Sequence, residues 1–147
     1  MDNSTFTLPL SKEQTEAIIP QKQPFVLISS LINASEKSCE TSFTIPDNHV
    51  LLTGKHLSSS GIIENIAQSC AAMMGYVNRN ETGKPKVGFI GDIRNFQCSA
   101  LPAVGATIQT LVTIENQVFD VTIIEGKVFM DGKQIAACKM KIFVKPD

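Results

Sequence analysis

One acidic residue, Glu64, stands near the start of an otherwise largely apolar segment, residues 61–76. Apolar residues in this segment recur at helical spacing but spread over most of the circumference, which predicts a helix buried on nearly all sides. Near a helix N-terminus the dipole favours negative charge, whereas apolar surroundings disfavour it. Because such opposed effects poise a carboxyl group for proton transfer, Glu64 is a candidate acid or base. Capping the helix or pairing with a basic side chain are the plainer roles.

Overall composition excludes several classes of function. The net charge of the 147 residues is −1 and the 13 basic residues are scattered, so nucleic acid and anionic membrane surfaces are poor candidates as partners. Four cysteines without C-x-x-C spacing and only two histidines give little support for a zinc site, and no metal is expected. Free thiols, together with the lack of a signal peptide or an apolar transmembrane stretch, predict a cytoplasmic protein.

The remaining pattern predicts one domain, residues 1–147, in which an antiparallel sheet surrounds the buried helix. Serines at 58, 59 and 60 can cap that helix, which is predicted to begin at Ser59 or Ser60 and to end near Asn78. A capping box of Ser11 and Gln14 predicts a short helix over 12–18. Strand-like composition falls at 25–32, 39–45, 87–97, 107–115, 118–130 and 134–144.

Loops are predicted over 46–60 and 80–85, and turns at Asn116-Gln117 and at Asp131-Gly132. The Asp-Gly pair is typical of a tight type I′ hairpin. A helix that is apolar nearly all round needs a sheet that curls about it. We therefore expect an α+β protein with the hotdog fold, in which five or six antiparallel strands wrap one long helix.

Four segments resemble one enzyme family. Residues 20–28, Pro-Gln-Lys-Gln-Pro-Phe-Val-Leu-Ile, resemble the Pro-His-Arg-x-Pro-Phe-Leu-Leu-Val signature of bacterial 3-hydroxyacyl-(acyl carrier protein) dehydratases. Residues 63–68 match the family's Ile-Glu-x-x-Ala-Gln, residues 87–96 resemble the strand after the helix, and residues 132–143 resemble the closing hairpin. The Gly-Phe-Ile-Gly strand is most similar to the dehydratase-like proteins of aryl polyene and flexirubin pigment clusters.

This resemblance implies a dimer with active sites at the subunit interface and no cofactor beyond the phosphopantetheine that carries the substrate. In the family, a loop histidine takes the proton beside the thioester carbonyl, and the helix carboxylate of the partner subunit protonates the departing hydroxyl. Gln21 stands at the position of that histidine. A neutral amide cannot take a proton near neutral pH, so the family's general base is absent. Losing one such group typically lowers a rate by roughly 10² to 10⁴.

Three explanations remain open for the missing histidine. Glu64 can serve as base and then acid while Gln21 orients the substrate. His56, eight residues before Glu64, can reach the site from the loop, and His49 is a weaker candidate. Alternatively the chain does not catalyse elimination, and instead binds acyl carrier protein or pairs with an active homologue.

Other residues are candidates for substrate binding. The backbone N–H groups at the helix start, from Ser59, Ser60 and Gly61 to Ile62, can polarise a thioester carbonyl, or can be capped by a serine. Gln68, one turn after Glu64, is expected to hydrogen-bond structurally or to hold Glu64.

Two basic residues are further candidates at the carrier end of the substrate. Arg94 and Lys22 can contact a pantetheine phosphate or an acidic carrier protein, although solvated surface charge is the more frequent role.

The residues and the resemblance together favour a 3-hydroxyacyl-thioester dehydratase-like protein of fatty acid or polyene biosynthesis, acting on acyl carrier protein or CoA thioesters. The alternatives are a hotdog acyl thioesterase and a non-catalytic, acyl-carrier-binding subunit of an active dehydratase. The expected assembly is a homodimer, a higher oligomer, or a heterodimer with an active homologue.

Overall fold

The computed structural model describes residues 6–81 and 85–145. Helix α1, Lys12–Ala17, begins at the predicted capping box. The Ser11 hydroxyl accepts a hydrogen bond from the Gln14 N–H, and the Gln14 side chain accepts one from the Ser11 N–H. This reciprocal pairing satisfies two N–H groups that lack intrahelical partners. The predicted helix over 12–18 is therefore confirmed to within one residue.

The second helix, α2, spans Ser59–Val77, with Ser58 as its N-cap and Asn78 as its C-cap. Both predicted ends are confirmed. Apolar side chains on this helix, such as Ile62, Ile66 and Met73, are almost fully excluded from solvent, because the sheet curves around them. No helix within 6–81 or 85–145 is both long enough and apolar enough to cross a membrane.

Six antiparallel strands form the main sheet, in the order β1-β2-β6-β7-β8-β5. A separate two-stranded sheet pairs β3 with β4 inside the segment predicted as a loop, 46–60. The strands are β1 Ser30–Ala34, β2 Ser38–Thr44, β3 Leu52–Thr53, β4 His56–Leu57, β5 Gly88–Cys98, β6 Thr107–Val118, β7 Val121–Met130 and β8 Lys133–Val144. The predicted α+β hotdog fold is confirmed.

The first strand differs from the prediction of 25–32, because β1 starts only at Ser30. Residues 25–27 instead lie along α2, where the side chains of Gln68 and Asn65 bind the backbone of Phe25 and Leu27. Backbone groups satisfied by helix side chains do not need a neighbouring strand. The apolar composition of this segment reflects the burial of Val26 and Leu27 in the core and not a place in the sheet, whereas Phe25 is exposed.

Two hairpin turns gave opposite outcomes. Asp131 and Gly132 have φ of 53° and 76°, as a type I′ turn requires, so that prediction is confirmed. The turn predicted at Asn116-Gln117 is wrong, because β6 continues through Val118 and pairs there with Val121. The chain reverses instead at Phe119, whose φ is 55°.

Glycines allow two close contacts with the helices. A Cβ at Gly126 in β7 would overlap the side chain of Ile66, so the strand approaches α2 closely only because Gly126 lacks one. On α2 itself, a Cβ at Gly75 would overlap the carbonyl oxygen of Ile18, at the end of α1. Gly75 therefore sets the contact between the two helices.

Candidate functional site

A cavity of about 980 Å³ lies along one side of α2. Its other walls come from the segment around α1, from the start of β5 and from the ends of β6 and β8. The lining residues from α2 are mostly three or four positions apart in the sequence, which places them on one face of the helix. From α2 and its cap the cavity is lined by Glu64, Ala67, Cys70, Ala71, Met74, Gly75 and Asn78.

Glu64 lies at one end of this row, just past the first turn of α2, and is half-buried. The plainer roles considered for Glu64 are not the ones observed. Ser58 caps the helix, and no basic side chain in the described parts of the chain forms an ion pair with the Glu64 carboxylate. The carboxylate therefore faces a cavity without a cationic partner.

Gln21 lines the same cavity as Glu64. Its amide oxygen Oε1 is buried and has no hydrogen-bond partner. A buried acceptor without a partner costs about 1–3 kcal/mol, and such groups are rare in folded proteins. The structure thus brings the two predicted catalytic residues to one cavity, where Gln21 offers an acceptor to a ligand that carries an O–H or N–H group.

A polar network on α2 holds the backbone that follows Gln21. The Gln68 side chain accepts a hydrogen bond of 2.7 Å from the Leu27 N–H and donates one of 3.0 Å to the Phe25 carbonyl. Asn65 donates to the Leu27 carbonyl at 2.8 Å and accepts from the Thr110 hydroxyl at 2.6 Å. Gln68 does not line the cavity, so its amide positions the backbone.

Asn65 was missed by the sequence reasoning. A signal was present, because an amide in a helix that is otherwise apolar must find partners when it is buried.

The start of α2 lies outside the lining of the cavity. Ser59 and Ser60 are exposed, and Gly61 is buried against Leu57. The Gly61 N–H donates to the Ser58 hydroxyl at 3.1 Å, and the Ile62 N–H donates to the Ser58 carbonyl. Two of the four N–H groups considered for a thioester carbonyl are therefore already bonded within this chain.

Neither histidine reaches the cavity. His49 lies 3.2 Å through Nε2 from the Val26 carbonyl oxygen, and its Nδ1 accepts a hydrogen bond from the Leu51 N–H. His56 is exposed in β4 and bridges to Ala103. The structure does not bring His56 to Glu64, so no histidine replaces the missing base within this chain.

Cys70 also lines the cavity, but burial raises the pKa of its thiol to about 12. A thiol with such a pKa is protonated at neutral pH, and the thiolate is the nucleophilic form. Cys70 is therefore an apolar part of the wall and not a nucleophile. All four cysteines are free, and in the described residues no three metal-ligating side chains converge.

The two basic residues considered for a phosphate lie outside the cavity. Arg94 donates through Nε to Asp92 at 2.7 Å, and this hydrogen bond lowers the pKa of the Asp92 carboxyl below its usual range. Lys22 donates to the Glu16 carbonyl. The cations that do line the cavity are Arg79 and Lys86, which sequence reasoning did not select.

Comparison with known families decides the relationship. The profile of the ApeP-like family, described as ApeP dehydratase, matches residues 13–147. The chain belongs to the ApeP-like dehydratase family. A search of curated protein sequences gave no match.

Solved structures share the fold of this ApeP-like chain at low sequence identity. The dehydratase heterocomplex ApeI:P from Xenorhabdus doucetiae aligns with a TM-score of 0.78 and 18% identity, over 96% of this chain and 93% of that chain. An HP0420 homologue from Helicobacter felis aligns with a TM-score of 0.65 and 11% identity, over 90% of this chain and 99% of that chain. A hypothetical thioesterase with coenzyme A from Streptococcus pneumoniae aligns with a TM-score of 0.62 and 7% identity, over 80% of this chain and 85% of that chain. These likenesses establish the fold, and the family match indicates dehydratase-like function.

Proposed function

We propose that this ApeP-like protein acts on 3-hydroxyacyl thioesters and eliminates water from them, with Glu64 as the proton-transfer group and Gln21 as the orienting group. One observation carries the proposal. Glu64 and Gln21 line the same cavity, and the amide oxygen of Gln21 is buried there without a partner. A substrate hydroxyl donates to that oxygen, which removes the cost of leaving it unpaired.

The elimination balances with a single carboxyl group. The Glu64 carboxylate takes a proton from C2 of the substrate, the electron pair of the broken C–H bond forms the C2=C3 double bond, and the C3–O bond breaks. The protonated Glu64 then gives its proton to the departing oxygen, so that water leaves and the carboxylate is restored. Gln21 cannot transfer protons, and holds the hydroxyl in reach.

The proposed assembly pairs two hotdog chains along β5. This strand is at the end of the sheet order, so one of its edges pairs with no strand in the described chain. It carries Phe89, an exposed side chain that also lines the cavity. An unpaired edge is a template for adding a strand from another chain, and a partner there completes the cavity wall. The pathway is the synthesis of fatty acids or aryl polyenes in the cytoplasm, and the acyl group arrives on acyl carrier protein.

A second candidate function is that of a subunit that supports an active dehydratase. Two observations favour it: Gln21 replaces the family's histidine, and a solved structure that shares the fold of this chain is a dehydratase heterocomplex. In this case the partner chain supplies the histidine at a shared site. The homodimer and the heterodimer differ in whether this protein is active alone.

An assay with both directions of the reaction tests the proposal. Purified protein is incubated with a 3-hydroxyoctanoyl thioester and, separately, with a 2-octenoyl thioester, alone and after mixing with a histidine-containing homologue. Interconversion by the protein alone supports the proposed activity. Interconversion only in the mixture, above that of the homologue, supports the subunit function. Release of free thiol without interconversion contradicts both and indicates a thioesterase.

A further inference from the structure

Two cations, Arg79 and Lys86, line the same cavity as Glu64. Arg79 follows the C-terminus of α2 in the chain, and Lys86 precedes β5. Lys86 is exposed, whereas Arg79 is half-buried. Arg79 therefore lies at the end of the apolar row of α2, one residue after the C-cap Asn78.

Arg79 is fixed in place but incompletely bonded. Its guanidinium stacks on the ring of Tyr76, 4.2 Å from the centroid, and its Nη1 donates to the Tyr76 carbonyl at 2.9 Å. Its Nε is buried without a hydrogen-bond partner, and no carboxylate in the described residues forms an ion pair with it. A buried charged donor without an acceptor is costly, so Arg79 is prearranged for an anion.

The distance between Arg79 and Glu64 suits one kind of ligand. From Glu64 to the C-cap Asn78 the helix axis advances about 21 Å, at about 1.5 Å per residue. An extended chain of peptide-like bonds advances about 1.15 Å per bond, so the roughly 17 bonds from the phosphorus of phosphopantetheine to the 3-hydroxyl oxygen of its acyl thioester span about 20 Å.

We propose that Arg79, assisted by Lys86, binds the phosphate of the phosphopantetheine carrier, with the pantetheine arm along the α2 side of the cavity. The proposal rests on the proposed function, because the hydroxyl at the other end of the arm must meet Glu64 and Gln21. Arginine suits this role because its planar fork of donors matches phosphate geometry.

Two acidic residues that line the same cavity do not cancel this site. Glu81 and Asp120 are both exposed, so solvent and salt screen their charges. The partly buried guanidinium of Arg79 is screened less.

A matched pair of ligands tests the phosphate site directly. Dissociation constants are measured by calorimetry for the 3-hydroxyoctanoyl thioesters of phosphopantetheine and of pantetheine, which differ only in the phosphate. The Glu64→Gln background prevents turnover. We expect the phosphorylated ligand to bind about tenfold more tightly, as one charge-assisted hydrogen bond supplies. Arg79→Met removes this preference, Arg79→Lys retains part of it, and Arg94→Met, which deletes an exposed cation outside the cavity, leaves it unchanged.

The outcomes separate this site from the proposed function. Equal binding of the two ligands, or a preference that survives Arg79→Met, overturns the phosphate site while the chemistry at Glu64 stands. Failure of both ligands to bind overturns the two together. If Arg79→Met does not fold, the protein that retains Arg79 still provides a test. Its preference for the phosphorylated ligand should decline from low to high salt, and a preference that does not decline contradicts a phosphate contact.

Discussion

The Gln68 side-chain oxygen accepts a 2.7 Å hydrogen bond from the backbone N–H of Leu27, 41 residues earlier in the chain. Through this bond, the helix that carries Glu64 also holds the segment that follows Gln21. The relative placement of the two candidate catalytic residues therefore depends in part on this buried amide. Its nitrogen donates to the Phe25 carbonyl, so both ends of the amide are used.

Replacing Gln68 by Met leaves the Leu27 N–H and the Phe25 carbonyl without these partners. Because each buried group left unpaired costs about 1–3 kcal/mol, we expect the free energy of unfolding to fall by about 2–4 kcal/mol. Urea denaturation measures this change. Arg94→Met is the control, expected within about 0.5 kcal/mol of the parent, since its side chain is exposed. Equal stabilities of the two variants would show that the amide does not hold this segment.

Gly75→Ala tests the contact between the two helices, because the sign of the change in the free energy of unfolding shows whether the contact is tight. In a helix interior, alanine is normally more favourable than glycine by about 1 kcal/mol. Here the added Cβ would overlap the backbone carbonyl of Ile18, so we expect destabilisation by about 1–3 kcal/mol instead. Thermal unfolding monitored by circular dichroism gives the sign. A raised melting temperature would mean that Ile18 moves aside without cost.

Cys70 is expected to resist alkylation in the folded protein. Burial raises its pKa to about 12, so at pH 8 the thiol is almost entirely protonated. Cys98 is partly exposed and should react with iodoacetamide first. Mass spectrometry of the labelled peptides distinguishes the two, and urea-unfolded protein, in which all four cysteines react, is the control. Labelling of Cys70 as fast as Cys98 would contradict its burial.

Gln21→His restores the base that the family uses. If Gln21 faces the reacting carbon, a positioned imidazole should raise the rate of dehydration by roughly 10² to 10⁴. Initial rates of enoyl-thioester formation provide the measurement. Gln21→Asn, an amide that cannot take a proton, should give no increase. An unchanged rate in a folded Gln21→His variant would mean that residue 21 does not occupy the histidine's place.

The parts of the fold that local pattern determines were predictable. The α2 helix was predicted with both ends, because apolar periodicity and the serine cap lie within its own sequence. The Asp131-Gly132 hairpin was predicted because few residue pairs adopt two positive φ angles. The hairpin at Phe119 was not, since a bulky residue rarely adopts positive φ and strand pairing forces this one to do so.

The site was only partly predictable for the same reason. Glu64 and Gln21 could be selected from residue type and resemblance, but their shared cavity depends on contacts between distant segments. The run at 25–29 has strand composition, and its irregular path is explained by partners from distant segments, namely Asn65, Gln68 and His49. Arg79 carries no local signal, because its role depends on stacking with Tyr76 and on a cavity that the sequence does not reveal.

The most direct measurement is the rate at which Glu64→Gln converts a 3-hydroxyoctanoyl thioester to the enoyl thioester, in the assembly in which the unsubstituted protein is active. Because Glu64 is the only proposed proton-transfer group in this chain, we expect a fall of at least about 10²-fold with the fold unchanged. Lys133→Ala, at an exposed position that does not line the cavity, should retain the parent rate. A Glu64→Gln variant that is as active as the parent would contradict the proposed role of Glu64.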